Sequence, residues 1–388
     1  MKTIPILIGF FALTLAADAG PATDQLVAAN TAFAFDLFGH IAQAQPGKNI
    51  FISPFSASSA LQMTAVGAAG QTKAEMGQVL RTSGMSENSL NTAVKALDGQ
   101  FLDRKDVTLN LANGIWIQKG LLVKSTFTHT VQDFYDAELA QVDFGQPDSA
   151  GTINQWAAAK TNNKIKDVVH FPFPSLTRLI LANAVYFKGT WVTAFEKSAT
   201  RPRDFHLATG GSTRVPMMSQ DGRFAYKEGN SYQAVKLPYK GGLEMELYLP
   251  QTNGNPVDLA GKKELREGFS TRDGTVMLPR FKMNYAVSLN EPLEAMGMKQ
   301  AFSALGADFS AMANRPLFIT EVKQKSYVDV NEQGTEAAAV TTVELTDAAM
   351  PVATERFTMI LDHPFFFVIS DMQSGSILFM GIVNDPTR

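Results

Sequence analysis

Cysteine is absent from the 388-residue chain. Its absence excludes disulfide bonds, thiolate zinc sites and cysteine nucleophiles together. Neither sign of charge dominates, because 34 Lys and Arg face 37 Asp and Glu and the formal net charge is −3. This balance argues against a nucleic-acid-binding protein and against a polybasic membrane-surface protein. An apolar fraction of 45% is typical of a globular chain with a large core.

The sequence also lacks the usual signatures of catalysis. It contains no GxSxG nucleophile elbow, no HExxH zinc motif and no GxxxxGK[ST] phosphate loop. The five histidines lie far apart and none pairs at i, i+4 spacing, so we expect no metal site and no cofactor. Asp362 and His363 are adjacent, but neighbours on a strand point to opposite faces, so we interpret them as an ordinary strand entry. The chain is therefore not expected to be an enzyme.

The first 19 residues are typical of a signal peptide. Residues 4–17 are almost entirely apolar, and Ala17-Asp18-Ala19 fits a signal-peptidase site before Gly20. The apolar run is shorter than the roughly 20 residues that span a bilayer, so a membrane anchor is the weaker alternative. We therefore predict a protein that is secreted, or periplasmic in a Gram-negative bacterium, with a mature chain of residues 20–388.

The remaining chain is predicted to form one large α+β domain. No linker, long charge run or internal repeat divides residues 20–388. Apolar residues follow helical spacing in the first half, and alternating or β-branched runs fill the second half, which indicates antiparallel or mixed sheets. The predicted helices cover residues 24–44, 56–81, 88–101 and 126–135. The predicted strands cover residues 108–118, 177–187, 233–237, 243–249, 274–281, 326–331, 365–370 and 377–382.

The least usual segment is GTEAAAVTTVELTDAA, residues 334–349. Read with a period of two over residues 335–346, the face that contains Thr335 and Thr341 has no charge, whereas both glutamates fall on the other face. No proline interrupts the segment, so it can form a buried central strand. Its alanines and glutamates also suit an exposed helix, whereas its threonines and valines oppose one. The pattern leaves a loop that becomes a strand and a surface helix as equal alternatives.

Several short motifs are distinctive when taken together. In order along the chain they are NIFISPFS (49–56), GAAGQT (67–72), LANAVYFKGTW (181–191), VPMM (215–218), LPY (237–239), NEQGTEAAA (331–339), DHPF (362–365) and FMGIVNDP (379–386). With these motifs the chain resembles the serpin family of protease inhibitors, and NEQGTEAAA is similar to the hinge that precedes the family's reactive-centre loop.

The resemblance implies a metastable serpin fold of three sheets and about nine helices. It places an exposed reactive-centre loop at about residues 332–352. It also implies a suicide mechanism, in which a serine protease cleaves the loop and stays attached as an acyl-enzyme in a covalent 1:1 complex. The cleaved loop then enters the main sheet as a strand and traps the protease.

The resemblance also assigns the parts of the loop. Its hinge residues are Glu332, Gly334, Thr335, Glu336, Ala337, Ala338 and Ala339. Counting 17 residues with Glu332 as the first, as in the family, places the reactive bond at Ala348–Ala349, with Met350 as the alternative specificity residue. A small apolar residue before the bond favours elastase-like or subtilisin-like proteases. A non-inhibitory serpin that acts as a carrier, chaperone or decoy substrate is the alternative function.

Two regions of the main sheet match functional regions of the family. Four residues match the shutter, a polar cluster beneath the centre of the sheet: Ser53, Ser56, Asn183 and Gln324. Three residues match the breach, where the loop first enters the sheet: Trp191, Arg280 and Glu332. An ion pair between Glu332 and Arg280 is expected to hold the top of the sheet closed. The family often has a histidine where this chain has Gln324, so we expect loop insertion to lack a pH response.

Beyond a protease, we expect no nucleic acid and no membrane as partners, and we expect a monomer. Activation by glycosaminoglycans in some serpins uses a basic helix. The corresponding residues 88–106 contain three basic side chains, Lys95, Arg104 and Lys105. A strong glycosaminoglycan effect is therefore not expected.

Overall fold

The helices lie mostly in the first half of the chain. The computed structural model describes residues 20–335 and 355–388, apart from residues 103, 105 and 253. The α-helices in this part of the chain are α1 Pro21–Ala44, α2 Pro54–Ala65, α3 Gly70–Val79, α4 Glu87–Leu102, α5 Ser125–Tyr135, α6 Asp148–Lys160, α7 Pro256–Ala260 and α8 Asn290–Ala295. The long helices thus occupy the half of the chain in which apolar residues follow helical spacing.

The run predicted as one helix, 56–81, is two helices. The chain turns after α2 at Gly67, where an added Cβ atom would lie 2.7 Å from Met312 Cβ. At the other end of α2, Ser53 Oγ accepts a hydrogen bond from the Ser56 N–H at 3.2 Å, as an N-cap does. Residues Pro54 to Thr64 of α2 are all buried. Six of these residues, Ser56–Ala60 and Thr64, have small side chains, which allow the helix to pack closely beneath a sheet.

Fifteen strands are present in the described residues, and they form two hydrogen-bonded sheets. They are β1 Ile50–Ile52, β2 Val107–Gln118, β3 Glu138–Val142, β4 Leu179–Thr190, β5 Arg201–His206, β6 Ser212–Gly229, β7 Tyr232–Pro238, β8 Leu243–Pro250, β9 Ser270–Pro279, β10 Phe281–Ser288, β11 Glu321–Asn331, β12 Gly334–Thr335, β13 Phe357–Ile360, β14 Phe365–Asp371 and β15 Ile377–Val383.

The six-stranded sheet has the order β10-β11-β12-β4-β2-β3, and we call it the central sheet. The nine-stranded sheet has the order β1-β15-β14-β8-β7-β6-β9-β13, with β5 paired to β6. The long strand β6 pairs with β5 and β9, and near its C-terminal end it also pairs with β7. Because β6 joins these strands, two of the three expected sheets are continuous and form the nine-stranded sheet. The approximate counts of sheets and helices agree with the expected fold.

The predicted strands are present, but sequence reasoning missed β1, β3, β5, β6, β10 and β13 and the helices α6, α7 and α8; β6 and α6 are the longest strand and the longest helix among these. In β6 the buried residues Val215, Met217 and Met218 are interrupted by Pro216 and followed by mainly polar residues up to Gly222, so its alternation is weak in the sequence. Few large apolar residues mark α6, whose buried face consists of Ser149, Ala150, Ile153 and Ala157. Contacts with neighbouring elements are the main stabilisation of β6 and α6. Such contacts leave no periodic pattern in the sequence.

Strand β4 is buried on both faces. One face, Leu179, Leu181, Val185 and Phe187, belongs to the main core. The other face, Ile180, Ala182, Ala184 and Tyr186, packs with α6 in a second cluster. Any strand added beside β4 would be covered by the same two layers. None of the helices in the described part of the chain combines the length and apolar character needed to span a bilayer.

Asp98 on α4 is a carboxylate in an unfavourable environment. Ser59 Oγ donates a hydrogen bond of 3.4 Å to Asp98 Oδ2, and Asp136, which follows α5, repels its charge. Burial, with a further contribution from Asp136, raises the pKa of Asp98 to about 7, although the Ser59 hydrogen bond opposes this change. In an unfolded chain the pKa of Asp is about 3.9. The native state therefore loses stability as the pH rises from about 4 to about 7.

Replacement of this carboxylate tests the argument. Asp98→Asn is expected to raise the thermal midpoint at about pH 8 by roughly 2–5 °C, because it removes the buried charge. At about pH 5 the rise should be clearly smaller, since only part of the stability loss between about pH 4 and about pH 7 has accumulated there. Thermal scans at both pH values check this, with Asp133→Asn on the exposed side of α5 as the control. Equal shifts at the two pH values would contradict a titrating Asp98.

Candidate functional site at the opening of the central sheet

Strands β4 and β11 lie side by side along part of their length and then separate. Their direct parallel pairing ends at Tyr186 and Tyr327. Beyond these residues, β12 lies between the two strands and runs antiparallel to both, with Thr335 opposite Val330 of β11 and Gly189 of β4. We call this the hinge end of the central sheet. The opposite edge, where β4 and β11 begin, is the distal end.

Glycine is required at the first position of β12. Gly334 has a φ of +142°, which L-amino acids rarely adopt. A Cβ atom at this position would lie 2.0 Å from the Gly189 carbonyl oxygen and 2.8 Å from Thr190 Cα. The close approach of the two backbones allows the chain to turn from β11 directly into the gap beside β4.

Glu332 anchors the turn that leads into β12. Its buried carboxylate accepts hydrogen bonds of 2.8 and 2.9 Å from Arg280 Nε, a further contact from Arg280 Nη2, and a bond of 2.6 Å from Thr200 Oγ1. Burial alone would raise the pKa of Glu332, but the hydrogen bonds from Arg280 and Thr200 outweigh it and lower the pKa below its usual range. The turn therefore holds an ionised, paired carboxylate.

Trp191 and Tyr239 hold the hinge from the other side. Their rings stack with centroids 4.1 Å apart. The Trp191 indole N–H donates to the Asn331 carbonyl at 3.0 Å, and the Trp191 backbone N–H donates to the Gln333 carbonyl at 3.0 Å. The Tyr239 hydroxyl shares a hydrogen bond of 2.8 Å with Thr335 Oγ1. Trp191 thus packs in the core and also binds the backbone of the hinge.

A buried polar cluster lies beneath the centre of the central sheet. Gln324 of β11 and Asn183 of β4 are directly opposite each other. Gln324 Nε2 donates to Asn183 Oδ1 at 2.6 Å and to the Ser53 carbonyl at 2.9 Å, and Gln324 Oε1 accepts from the Ser53 N–H at 2.9 Å. One amide side chain therefore joins β11, β4 and the start of α2.

Asn113 and Ser56 complete this cluster. Asn183 Nδ2 donates to both Ser56 Oγ and Asn113 Oδ1, and Ser56 Oγ donates to Asn113 Oδ1 at 3.2 Å. Asn113 lies on β2 directly opposite Asn183. Sequence reasoning missed Asn113, although a signal is present. An asparagine inside a largely apolar strand must find a partner when it is buried.

Asp362 and His363 contact each other, contrary to the expectation for neighbours on a strand. They lie in the loop between β13 and β14, so the alternation of strand side chains does not apply. His363 Nδ1 is 2.8 Å from Asp362 Oδ1, and His363 Nε2 is 2.8 Å from the Pro250 carbonyl oxygen. Because a carbonyl oxygen can only accept, Nε2 carries a proton and is not a free base. The pair ties the loop to β8 and does not resemble a hydrolytic triad.

The other site predictions have different outcomes. The reactive residues Ala348, Ala349 and Met350, and the hinge residues Glu336, Ala337, Ala338 and Ala339, lie outside the described residues. The same is true of the predicted signal peptide. Within the described ranges, no group of three or more His, Asp or Glu side chains is placed to hold a metal ion.

Comparison with known proteins assigns the family. A family model described as serpin (serine protease inhibitor) matches residues 28–386. The chain belongs to the serpin family. The central sheet with β12 between β4 and β11 is therefore part of a serpin fold. Family membership supports protease inhibition as the general function, with a protease in a 1:1 complex as partner, and it is consistent with a protein that is not an enzyme.

Individual serpins are similar to this chain over almost its whole length. Leukocyte elastase inhibitor from Bos taurus is 38% identical over 386 residues, which cover 94% of this chain and 100% of that protein. The crystal structure of Serpin48 from the insect Tenebrio molitor has a TM-score of 0.84 at 31% identity and covers 93% of this chain and 98% of its own. Human thyroxine-binding globulin complexed with thyroxine has a TM-score of 0.85 at 26% identity, with coverages of 95% and 100%. These structures confirm the serpin fold.

The ion pair at the hinge end predicts a specific pH dependence. Glu332→Gln should lower the thermal midpoint at about pH 7, because it removes the charge-assisted hydrogen bonds from Arg280. Because the native pKa of Glu332 is lowered, its contribution is present above the unfolded value of about 4.3 and is lost as the pH falls through the native value. The wild type should therefore lose more stability than the variant between about pH 5 and about pH 3.

Thermal scans over this pH range provide the measurement. Glu196→Gln, at an exposed carboxylate close to the same turn, is the matched control and should follow the wild-type curve. If the midpoints of wild type and Glu332→Gln fall in parallel on acidification, the ion pair does not stabilise the hinge end in the way that the structure indicates.

Proposed function

We propose that this serpin inhibits serine proteases by trapping them as acyl-enzymes. The observation that carries the proposal is the position of β12, which lies between β4 and β11 and runs antiparallel to both. The protease serine attacks the carbonyl carbon of the reactive bond, and the amine of the following residue leaves. The freed N-terminal part of the loop then extends β12 toward the distal end as β4 and β11 separate.

The register of β12 determines which residues pair during this extension. Because Thr335 lies opposite Val330 and Gly189, continuation in register pairs residues 336–344 with residues 321–329 of β11 and 180–188 of β4. Both counts place Thr341 opposite Gln324 and Asn183, which already face each other. The two strands therefore need to separate but not to slide, and both are long enough for the new strand.

Hydrogen bonding favours the inserted arrangement. Before insertion, β4 and β11 pair directly at seven positions. Insertion replaces this pairing by two antiparallel ladders, one between the new strand and β4 and one between the new strand and β11, and each ladder is longer than the pairing that is lost. It also breaks the Gln324–Asn183 hydrogen bond at the centre of the sheet. Thr341 lies an even number of residues from Thr335, so its hydroxyl would reach the same face and could bond to both separated amides. The charge-free face that the sequence shows is the one that must enter the core.

The target protease follows from the residue before the cleaved bond. We place this bond at Ala348–Ala349, and a small side chain there fits the shallow primary pockets of elastase-like and subtilisin-like proteases. Arg356 lies farther along and is engaged by Asp221, with Nη2 2.9 Å from the carboxylate. An arginine-specific protease is therefore disfavoured.

The remaining proposals concern the setting of the reaction. We propose export after removal of residues 1–19, and action as a monomer without a membrane or nucleic acid partner. Arg104 after α4 forms an ion pair of 2.7 Å with Asp371, which reduces the basic surface available to a glycosaminoglycan. Sequencing the N-terminus of the exported protein, with Gly20 as the expected first residue, tests the proposed cleavage.

The first experiment incubates the mature chain with pancreatic elastase and, separately, with subtilisin. An inhibitor should give a band on an SDS gel at the combined mass of the two chains, together with a released peptide that starts at Ala349. A released peptide that starts at Pro351 would move the specificity residue to Met350. Cleavage without the covalent band, and without a gain in heat resistance, would overturn the inhibitor function in favour of a carrier or decoy, as in the non-inhibitory alternative.

Two variants of the loop test insertion itself. Thr341→Arg would bury a charge at the centre of the sheet, so it should be cleaved as a substrate and form at least ten times less covalent complex. Thr342→Arg places the same charge on the opposite face, between Ala182 and the partly exposed Lys323, where the long side chain can reach solvent, so it should form clearly more covalent complex than Thr341→Arg. Equal loss of complex in both variants would contradict the proposed register.

A further prediction concerns pH. Because the cluster around Gln324 has no titrating group of its own, the insertion rate should be nearly constant between about pH 6 and about pH 8. Gln324→His should introduce a pH dependence with a midpoint near the ordinary histidine value of about 6.5. Both proteins should carry Asp98→Asn so that titration of Asp98 does not contribute. A sharp pH dependence without the histidine would contradict this account.

A further inference from the structure

A cavity of about 490 Å³ lies between α2, α3 and the start of α4. Its volume is in the range of small-molecule binding sites. Half-buried apolar side chains form part of its wall: Ala65, Val66, Met85 and Leu90. None of the residues of the hinge, the breach or the polar cluster lines it, so the function proposed above does not account for this cavity.

Small residues on α3 make room for the cavity. Gly70, Ala74 and Gly77 lie at positions i, i+4 and i+7, so they share one face of the helix, and all three line the cavity. The buried residues of α3 lie on the opposite face: Thr72, Met76 and Val79. The helix is therefore held in the fold by one face and leaves open space beside the other.

Gln62 of α2 brings an unpaired hydrogen-bond acceptor to the wall of the cavity. Its side chain is 2% exposed, and Nε2 donates to Ser58 Oγ at 2.8 Å and to Asn30 Oδ1 at 3.3 Å. Ser58 Oγ donates its single proton to Asn30 Oδ1 at 2.7 Å, so it can only accept from Gln62, and this fixes the orientation of the amide. Gln62 Oε1, which points away from both partners, has no hydrogen-bond partner among the described residues.

The charges at the rim of the cavity are paired with each other. Lys73 Nζ lies 2.7 Å from Glu87 Oε2, and the two side chains are 47% and 52% exposed. This pair joins α3 to the start of α4. The Thr82 N–H donates to the Gly77 carbonyl at 2.8 Å, which fixes the turn between the two helices. The wall is thus held in place by the protein itself, and the paired charges at its rim favour a neutral ligand.

We propose that this cavity binds a small, neutral, mainly apolar molecule that carries a hydroxyl group. The apolar part would pack against the half-buried side chains of the wall, and the hydroxyl would donate a hydrogen bond to Gln62 Oε1. A buried acceptor without a partner costs stability, so a ligand with a donor should bind more tightly there than a ligand of the same shape without one. This binding activity is independent of the inhibitor function.

The test compares two ligands of nearly the same shape, para-propylphenol and its methyl ether, of which only the phenol has an O–H to donate. Isothermal titration calorimetry with the mature chain gives the two dissociation constants, and thermal scans give the change in the unfolding midpoint. The phenol should bind at least about five times more tightly than the ether, and it should raise the midpoint more at equal concentration. Equal affinities, or no binding of the phenol, would overturn the inference.

Three variants locate the ligand. Ala74→Phe, at an exposed position of the wall, should fill the cavity and abolish binding of the phenol. Ala96→Phe makes the same change at an exposed position of α4 that does not line the cavity, and it should bind the phenol as the wild type does. Gln62→Met keeps the size of the side chain but removes the acceptor, so it should bind the phenol and the ether equally.

The outcome at Ala74 decides where the ligand lies. If Ala74→Phe binds the phenol as tightly as the wild type, the ligand lies elsewhere and the inference fails. Should Gln62→Met fold poorly, the comparison of Ala74→Phe with Ala96→Phe still decides, because both positions are exposed.

Discussion

The hydrogen bonds between β4 and β11 are the constraint on which the rest of the structure depends. They join the two strands directly along seven positions and stop at the hinge end, where β12 separates them. Both strands are hydrogen-bonded on their outer sides, β4 to β2 and β11 to β10, so a strand added between β4 and β11 leaves those outer pairings unchanged. Layers of apolar side chains already cover both faces of β4 there.

Two sets of polar contacts act on this interface in different ways. At the hinge end, an ionised Glu332 and the aromatic pair Trp191 and Tyr239 hold the turn and β12 in place. At the centre, Gln324 and Asn183 bind each other and the start of α2 through uncharged groups. A charged pair at the rim can be solvated when it separates, whereas neutral amides under the sheet can exchange partners without burying a charge.

Much of the fold and part of the site could be predicted from residues alone. The eight strands read from alternation or β-branched runs are present, and the resemblance identified Ser53, Asn183 and Gln324, which do lie together. The failures have physical causes. The helical run is divided near Gly67, where Met312 leaves no room for a side chain, and polar residues and Pro216 interrupt the buried positions of β6, which pairs with β5, β7 and β9. Asp362 and His363 meet because they lie in a loop.

The sequence by itself determined the family, the α+β character and a charge-free face along the loop, because these depend on the order and spacing of residue types. Only the tertiary structure decided that β12 already lies between β4 and β11, that Asn113 joins the polar cluster, and that Thr200 helps to hold Glu332. The physical reason is distance along the chain. Hydrogen bonds between residues far apart in sequence depend on strand register and on the packing of whole layers, which no local pattern records.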